Sequence, residues 1–390
     1  MRPLDERFRM RLMDFLEQSD EKTDEEIFER IDEMILSHPE TGRMSLEQRG
    51  KLRAALFNSV RRLDVLQELV DDRAITEIMV NDYRTIFVER GGKILRWPKG
   101  FCSEERMEDV IRQIAGRCNR VVNEQRPIAD ARLPDGSRVN IVLPPVSLNG
   151  PMMTIRKFPE KPYTMDALVR GGTLTDESAA FLERLVRSRY SILVGGGTST
   201  GKTTFLNALS AYIPECERIV TIEDNAELQI IGVENLVRLE VRGANLAGDH
   251  EITMRDLIRT ALRMRPNRII IGEVRGGEAY DWLSCLNTGH DGSLGSAHAN
   301  STREMIGRLE TMVLMAVDLP VPVIRRQIAS GIEILVHLVR DRDGRRVLDE
   351  IAEIVGIRND EVVIRTIYKR DETGRLERTG ELFHKKKLIS

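Results

Sequence analysis

Gly196-Gly197-Thr198-Ser199-Thr200-Gly201-Lys202-Thr203 fits the spacing G-x-x-x-x-G-K-[ST], which is a spacing for holding phosphate. Its glycines let the backbone turn so that successive N–H groups face inward onto phosphate oxygens. A helix beginning at its end adds the positive end of its dipole and its unpaired N–H donors. Lys202 then reaches the β- and γ-phosphates, and the Thr203 hydroxyl ligates Mg²⁺. The flanks have the required form. Ser191-Ile192-Leu193-Val194 is a short apolar strand, and Thr204-Phe205-Leu206-Asn207-Ala208-Leu209 reads as the first turns of a helix. A glycine-rich turn without a ligand would need neither flank. Residues Gly196 to Thr204 are therefore expected to bind a nucleoside triphosphate with its Mg²⁺.

Other residues have the right chemistry to act on that phosphate. Arg268-Ile269-Ile270-Ile271-Gly272-Glu273 is an apolar strand ending in a carboxylate. A carboxylate at such a strand end holds Mg²⁺ through water or orients the attacking water, which makes Glu273 the first choice for catalysis and for the metal. Gly272 stands where an aspartate is usual. The plainer reading of Glu273 is a helix cap or a surface glutamate. Ile222-Glu223-Asp224-Asn225-Ala226-Glu227 sets three carboxylates just past another strand. Like charges there repel unless a cation or an arginine sits among them. Glu223 and Asp224 read either as neighbours of Mg²⁺ or as a solvated acidic loop. His290 and His298 do not have the spacing of a zinc helix. His298 is expected to contact the γ-phosphate, although a lone histidine is more often a hydrogen-bonded structural residue. Arg132, Arg138 and Arg156, or Arg263 and Arg265, are candidates for the arginine that stabilises charge on a transferring phosphoryl group.

Several elements must position these groups. At 390 residues the chain suits two or three domains, and 41% hydrophobic content is enough for real cores. A net charge of −3 argues against a broad basic face for nucleic acid. Cys102, Cys118, Cys216 and Cys285 form no C-x-x-C pair, so reduced thiols in a cytoplasmic protein are expected. The charged start and the absence of a bilayer-length apolar run point to a soluble chain that meets a membrane only through partners. Residues 1–62 read as amphipathic helices: Phe8, Leu12, Phe15 and Leu16, then Ile27, Ile31, Met34 and Ile35, separated by a break at Ser19 to Asp24. Residues 63–158 read as a small α+β domain, with strands at Ile75 to Val80, Thr85 to Val88, Val139 to Val142 and around Thr154. A helix there carries Met107, Val110, Ile111 and Ile114, and a turn falls at Pro134-Asp135-Gly136. Residues 159–173 read as a linker. From Leu174 helix and strand alternate, with strands at 191–194, 218–222, 236–241, 268–272, 294–298 and 332–339, as in a doubly wound, mostly parallel α/β core. A hairpin turn at Asp341-Arg342-Asp343-Gly344, further short strands and a solvated basic end at Lys385-Lys386-Lys387 complete residues 174–390.

Taken together, Asp130-Ala131-Arg132-Leu133-Pro134-Asp135-Gly136-Ser137-Arg138-Val139-Asn140, Thr154-Ile155-Arg156-Lys157-Phe158, the phosphate loop, Ile222-Glu223-Asp224, Ile271-Gly272-Glu273-Val274-Arg275-Gly276, Thr288-Gly289-His290-Asp291-Gly292-Ser293 and Ala297-His298-Ala299-Asn300-Ser301 form a set. It resembles the type II/IV secretion system ATPases, most closely the CpaF-like ATPases of tight-adherence (type IVc) pili, from about Leu66 to Ile357. The resemblance implies a RecA-like P-loop NTPase core and a homohexameric ring of two-domain subunits, with ATP and Mg²⁺ at the cleft between domains. It implies docking beneath inner-membrane platform proteins, at the cytoplasmic face of the membrane, to drive pilus assembly or export. By position, Lys202 and Thr203 match the phosphate and Mg²⁺ ligands. Glu273 matches the Walker B glutamate, Glu223 and Asp224 the acidic box, and His298 the second histidine of the histidine box. Arg138 and Arg156 match the arginines of the N-terminal domain. The four-cysteine insert of some type II relatives is missing, and the first sixty or so residues and last thirty or so are poorly covered.

The alternative is a nucleic-acid-stimulated translocase on the same core. Against it stand the near-neutral charge and the lack of a basic-aromatic face. A nucleotide-sensing scaffold without turnover is opposed by an intact Glu273. A GTPase is opposed by the absence of Asn-Lys-x-Asp.

Overall fold

The computed structural model describes residues 3–17, 22–118, 120–133, 135–158, 162–242 and 251–389. Residues 19–21 of the expected break, Pro134 of the expected turn and residues 159–161 of the expected linker lie outside them. The chain divides into two compact units, Met1–Glu160 and Lys161–Ser390. Among the described residues no helix is long and apolar enough to cross a membrane.

The first unit begins with helices α1 (Pro3–Glu17), α2 (Asp24–Ser37) and α3 (Leu46–Arg61). Thr23 caps α2 reciprocally: its Oγ1 accepts from Glu26 N–H, and the Glu26 carboxylate accepts from Thr23 N–H. Phe8, Leu12, Ile27, Ile31, Leu52 and Leu56 form the core of these helices, as helical spacing requires. After the short α4 (Gln67–Asp71) come β1 (Ile75–Asp82), β2 (Thr85–Arg90), β3 (Lys93–Trp97), α5 (Glu104–Arg117), β4 (Ile128–Arg132), β5 (Arg138–Val142) and β6 (Met152–Arg156). The strands make one sheet in the order β3-β2-β1-β6-β5-β4. Met107, Val110, Ile111 and Ile114 of α5 are fully buried in the same core as Ile78, Val80, Val139 and Ile155.

The second unit carries α6 (Met165–Arg170), α7 (Asp176–Arg187), β7 (Ile192–Gly196), α8 (Lys202–Ser210), β8 (Ile219–Glu223), β9 (Leu236–Glu240), α9 (Met254–Ala261) and β10 (Arg268–Val274). Next are α10 (Glu278–Leu286), β11 (Leu294–His298), α11 (Thr302–Leu314), α12 (Val321–Gly331), β12 (Ile334–Arg340), β13 (Arg346–Arg358), β14 (Glu361–Arg370) and β15 (Leu376–Arg378). Among the described residues they form a nine-stranded sheet, β15-β14-β13-β12-β7-β11-β10-β8-β9. The pairs from β12 through β9 are parallel, and those from β12 to β15 antiparallel. This is the expected α/β, RecA-like core. Successive strand residues feed opposite layers, as a pleated strand buried on both faces demands. Ile192, Val194 and Ile270 pack with α7 and α8 residues such as Leu182 and Phe205. Leu193, Ile269 and Ile271 pack with Trp282, Met305 and Ile328 on the other side. Each such side chain contributes roughly 1.5–3 kcal/mol on burial.

Three features differ from the sequence expectation or add to it. The strands after the hairpin turn are long rather than short, reaching Arg358 and Arg370. The basic end is not simply solvated. Lys387 Nζ lies 2.8 Å from Glu333 and donates to Arg189 O at 3.1 Å. Glu353, 1% exposed, accepts from the His384 N–H at 2.7 Å and so holds the tail. Arg268 opens the apolar β10 yet is wholly buried. It pairs in bidentate fashion with Glu217 (2.8 and 2.8 Å) and donates to Val186 O and Gly292 O. Arginine suits such a site because its planar fork matches a carboxylate.

Candidate nucleotide-binding site

The phosphate loop leaves the C-terminal end of β7, where open parallel sheets bind ligands. Gly196 is required by space, since a Cβ there would lie 2.5 Å from Leu338 O and 2.6 Å from Thr200 Oγ1. Gly201 caps α8 at φ +92°, a left-handed conformation that costs glycine little. Ser199 adopts φ +59° without being glycine. Thr198 and Ser199 are exposed, Gly197, Gly201, Thr203 and Thr204 half-buried, and Thr200 buried. The Thr200 hydroxyl donates to Gly197 O at 3.0 Å and braces the loop across its width. Lys202, the first residue of α8, is buried and folds back over the loop, donating to Gly196 O (3.2 Å) and Gly197 O (3.0 Å).

Three neighbouring strand ends bring the other groups to the loop. β11 pairs with β7 so that His298 lies opposite Gly196. His298 Nδ1 is 3.4 Å from Lys202 Nζ, and its Nε2 is 2.6 Å from Glu273 Oε1 at the end of β10. Glu273 Oε2 accepts from Arg275 Nη2 at 2.7 Å, and Arg275 Nη1 lies 3.5 Å from Asp224 beyond the end of β8. A continuous path of contacts thus runs Lys202–His298–Glu273–Arg275–Asp224. Burial holds the His298 pKa below the ordinary imidazole value. Glu273 opposes this, while Lys202, Arg275 and Arg308 reinforce it. The ring is therefore neutral at pH 7. Its Nε2 faces the Glu273 carboxylate and its Nδ1 faces the Lys202 ammonium.

Glu223 is placed differently from its neighbour Asp224. It is 2% exposed, and its Oε2 accepts from the N–H groups of Glu227 and Leu228, both at 2.8 Å. Its Oε1 is buried without a hydrogen bond. A Cβ on Gly272 would come 2.9 Å from Glu223 Cγ. The missing aspartate at position 272 thus has a steric cause: Glu223 fills that space. Burial pushes the Glu223 carboxyl up to about 7 from an ordinary 4.5, against the lowering effect of its two backbone donors and Arg238. The folded pKa is raised, so this group's stabilisation is whole below pH 4.5 and is lost as pH rises through about 7. The loss is roughly 3 kcal/mol. Glu223→Gln keeps an acceptor for both N–H groups and does not titrate. Urea unfolding from pH 5 to 8 is expected to show the variant gaining on the parent as pH rises. A gap independent of pH would contradict the titration.

Thr203, Glu273 and Asp224 present a hydroxyl and two carboxylates, hard oxygen donors that suit Mg²⁺. Among the described residues no three or more His, Cys, Asp or Glu side chains form a metal cluster. A P-loop magnesium asks for less, because phosphates and water complete its shell.

The remaining expected residues lie elsewhere. Arg138 and Arg156 belong to the first unit, where Arg132, Arg138 and Arg156 stand opposite one another across β4, β5 and β6. On β1, Glu77 stands opposite Arg156 and puts a carboxylate at the end of that row. Arg263 and Arg265 lie in the loop entering β10, at the other end of that strand from Glu273, and do not join the cluster of their own chain. His290 is a structural residue before β11, its Nδ1 3.2 Å from Cys285 O. Arg275, which lies within Ile271-Gly272-Glu273-Val274-Arg275-Gly276, carries no signal in the sequence for its place between Glu273 and Asp224.

A family model described as type II/IV secretion system protein matches residues 61–377. The chain is similar to a putative conjugal transfer protein of Mycobacterium tuberculosis (strain H37Rv). The two are 36% identical over 296 residues, 74% of this chain and 83% of that protein. It is also similar to the probable conjugal transfer protein TrbB of Sinorhizobium fredii, at 34% identity over 324 residues, 82% of this chain and 91% of that one. Among solved structures, the ATPase DotB of Legionella pneumophila aligns with a TM-score of 0.52. It covers 73% of this chain and 78% of its own at 21% identity, a likeness of fold.

Proposed function

Since the chain belongs to the type II/IV secretion system protein family and is a P-loop ATPase of that family, we propose that it works as a homohexameric ring motor. It turns ATP hydrolysis into domain motion beneath inner-membrane platform proteins, at the cytoplasmic face of the membrane. The work is pilus assembly or protein export. The tight-adherence branch rests on the motif set in the sequence. The observation that supports the reading is the path of contacts from Lys202 through His298 to Glu273, which joins a phosphate loop to the carboxylate proposed as the base.

The chemistry follows from these groups. Backbone N–H groups from Gly197 to Thr204 and the start of α8 hold the triphosphate. Lys202 exchanges the carbonyls of Gly196 and Gly197 for β- and γ-phosphate oxygens. Glu273 accepts a proton from the attacking water as the bond from the γ-phosphorus to the ADP oxygen breaks. Neutral His298, between Lys202 and Glu273, reports to the carboxylate whether Lys202 is engaged. The Thr203 hydroxyl would hold Mg²⁺, with the Glu273 and Asp224 carboxylates beside it, and the bound ion would supply positive charge against that developing on the phosphates. Arg138 and Arg156 supply positive charge from the first unit of the same or a neighbouring subunit, a device associated with roughly 10³–10⁵ in rate.

The comparison that tests this reading against a nucleic-acid-stimulated translocase is the ATPase rate at low salt, with and without single- or double-stranded DNA. The rate is expected to be unchanged. Stimulation of tenfold or more, on the order of a full steering effect, would favour the translocase.

A further inference from the structure

The phosphate loop is gripped from outside by two arginines that the mechanism above does not use. β12 lies beside β7 in parallel register, with Leu338 opposite Gly196. β12 therefore runs on past the end of β7 and overhangs the loop. Its last residue, Arg340, stands opposite Arg346, the first residue of β13. Both side chains are exposed, yet both turn onto the same atom. Arg340 Nε donates to Ser199 O at 3.2 Å, and Arg346 Nε donates to it at 3.1 Å. Two donors use both lone pairs of that carbonyl. Cross-strand like charges are unfavourable unless an acceptor sits between them, and here one does. The turn joining the two strands is itself tied: Asp341 accepts from the N–H groups of Asp343 and Arg345.

The carbonyl they hold belongs to Ser199, a residue in left-handed backbone without being glycine. A peptide unit is planar and trans, so its C=O and N–H point in opposite directions. Fixing the Ser199 carbonyl toward the hairpin therefore fixes the Thr200 N–H away from it. We propose that Arg340 and Arg346 are positioning residues that clasp the Ser199–Thr200 peptide, hold the loop's amides in their phosphate-facing arrangement, and so set affinity for nucleoside triphosphate. This rests on the nucleotide reading of the loop.

The test uses the full chain with a fluorescent ATP analogue and Mg²⁺, alongside steady-state ATPase. Arg340→Ala and Arg346→Ala singly should weaken binding by less than about threefold, because either arginine alone still holds the carbonyl. The double variant should weaken it by about tenfold or more, as expected when charge-assisted hydrogen bonds are lost. KM should rise in step while kcat changes by less than about twofold, the pattern of lost uniform binding. Amide exchange of the loop should quicken in the double variant without nucleotide, with thermal unfolding unchanged. The ratio of affinities should persist at about 1 M salt, where the screening length is near 3 Å.

A ratio that collapses in salt would mean that the arginines act as remote charge, and would overturn the clasp. Strictly additive single variants or unaltered loop exchange would overturn it too. Lys202→Ala, measured beside them, separates two failures. If that variant binds the analogue like the parent, the nucleotide reading fails. If it loses binding while the double arginine variant does not, only the clasp fails.

Discussion

Lys202→Ala is expected to lower ATP hydrolysis by roughly 10²–10³, the cost of removing one preorganised donor to developing charge. Lys202 is buried at the first turn of α8, and its ammonium donates to two loop carbonyls and lies 3.4 Å from His298. Alanine keeps helix propensity at that position, so the fold should survive. Phosphate release from saturating MgATP, with circular dichroism on the same sample, measures both. A folded variant with parental turnover would remove Lys202 from the site.

Glu273→Gln is expected to stop turnover by at least about 10², the usual range for losing a positioned general base, while ATP stays bound. The two positions separate binding from chemistry, because glutamine keeps size and hydrogen-bonding capacity but accepts no proton at neutral pH. It also weakens the charge pair with Arg275, 2.7 Å away in the parent, and leaves Arg275 to Asp224. Single-turnover hydrolysis and equilibrium ATP binding should therefore part company. Parental single-turnover rates would assign the base elsewhere.

The phosphate loop was legible because its residues, spacing and flanks are all local. The core strands were legible for a related reason: strands buried on both faces read as continuous apolar runs, as in Ile269-Ile270-Ile271. In the first unit two strands carry little sequence signal. β3 is an edge strand with residues 93–96 exposed on both faces, so it has no alternation to read. β4 turns only alanines inward, Ala129 and Ala131, and alanine is a weak strand signal.

What stayed hidden depended on which distant strands become neighbours. Ile271 pairs with Ile222 across β10 and β8, and this alone brings Gly272 under Glu223. The acidic box therefore divides. Asp224 faces the arginine path, while Glu223 is sealed in the turn below it. Arg268 reads as the polar edge of a strand but is buried in full by its pairing with Glu217, fifty-one residues earlier. The grip of Arg340 and Arg346 on Ser199 likewise needs β12 beside β7, an order set by packing and not by anything near either arginine in sequence.

If the subunits of a ring complete one another's sites, ATPase rate per chain depends on protein concentration. Measured together with mass in the same samples, that rate should rise steeply as hexamers form. A flat rate from a stable monomer would place every catalytic group within one chain and contradict the ring.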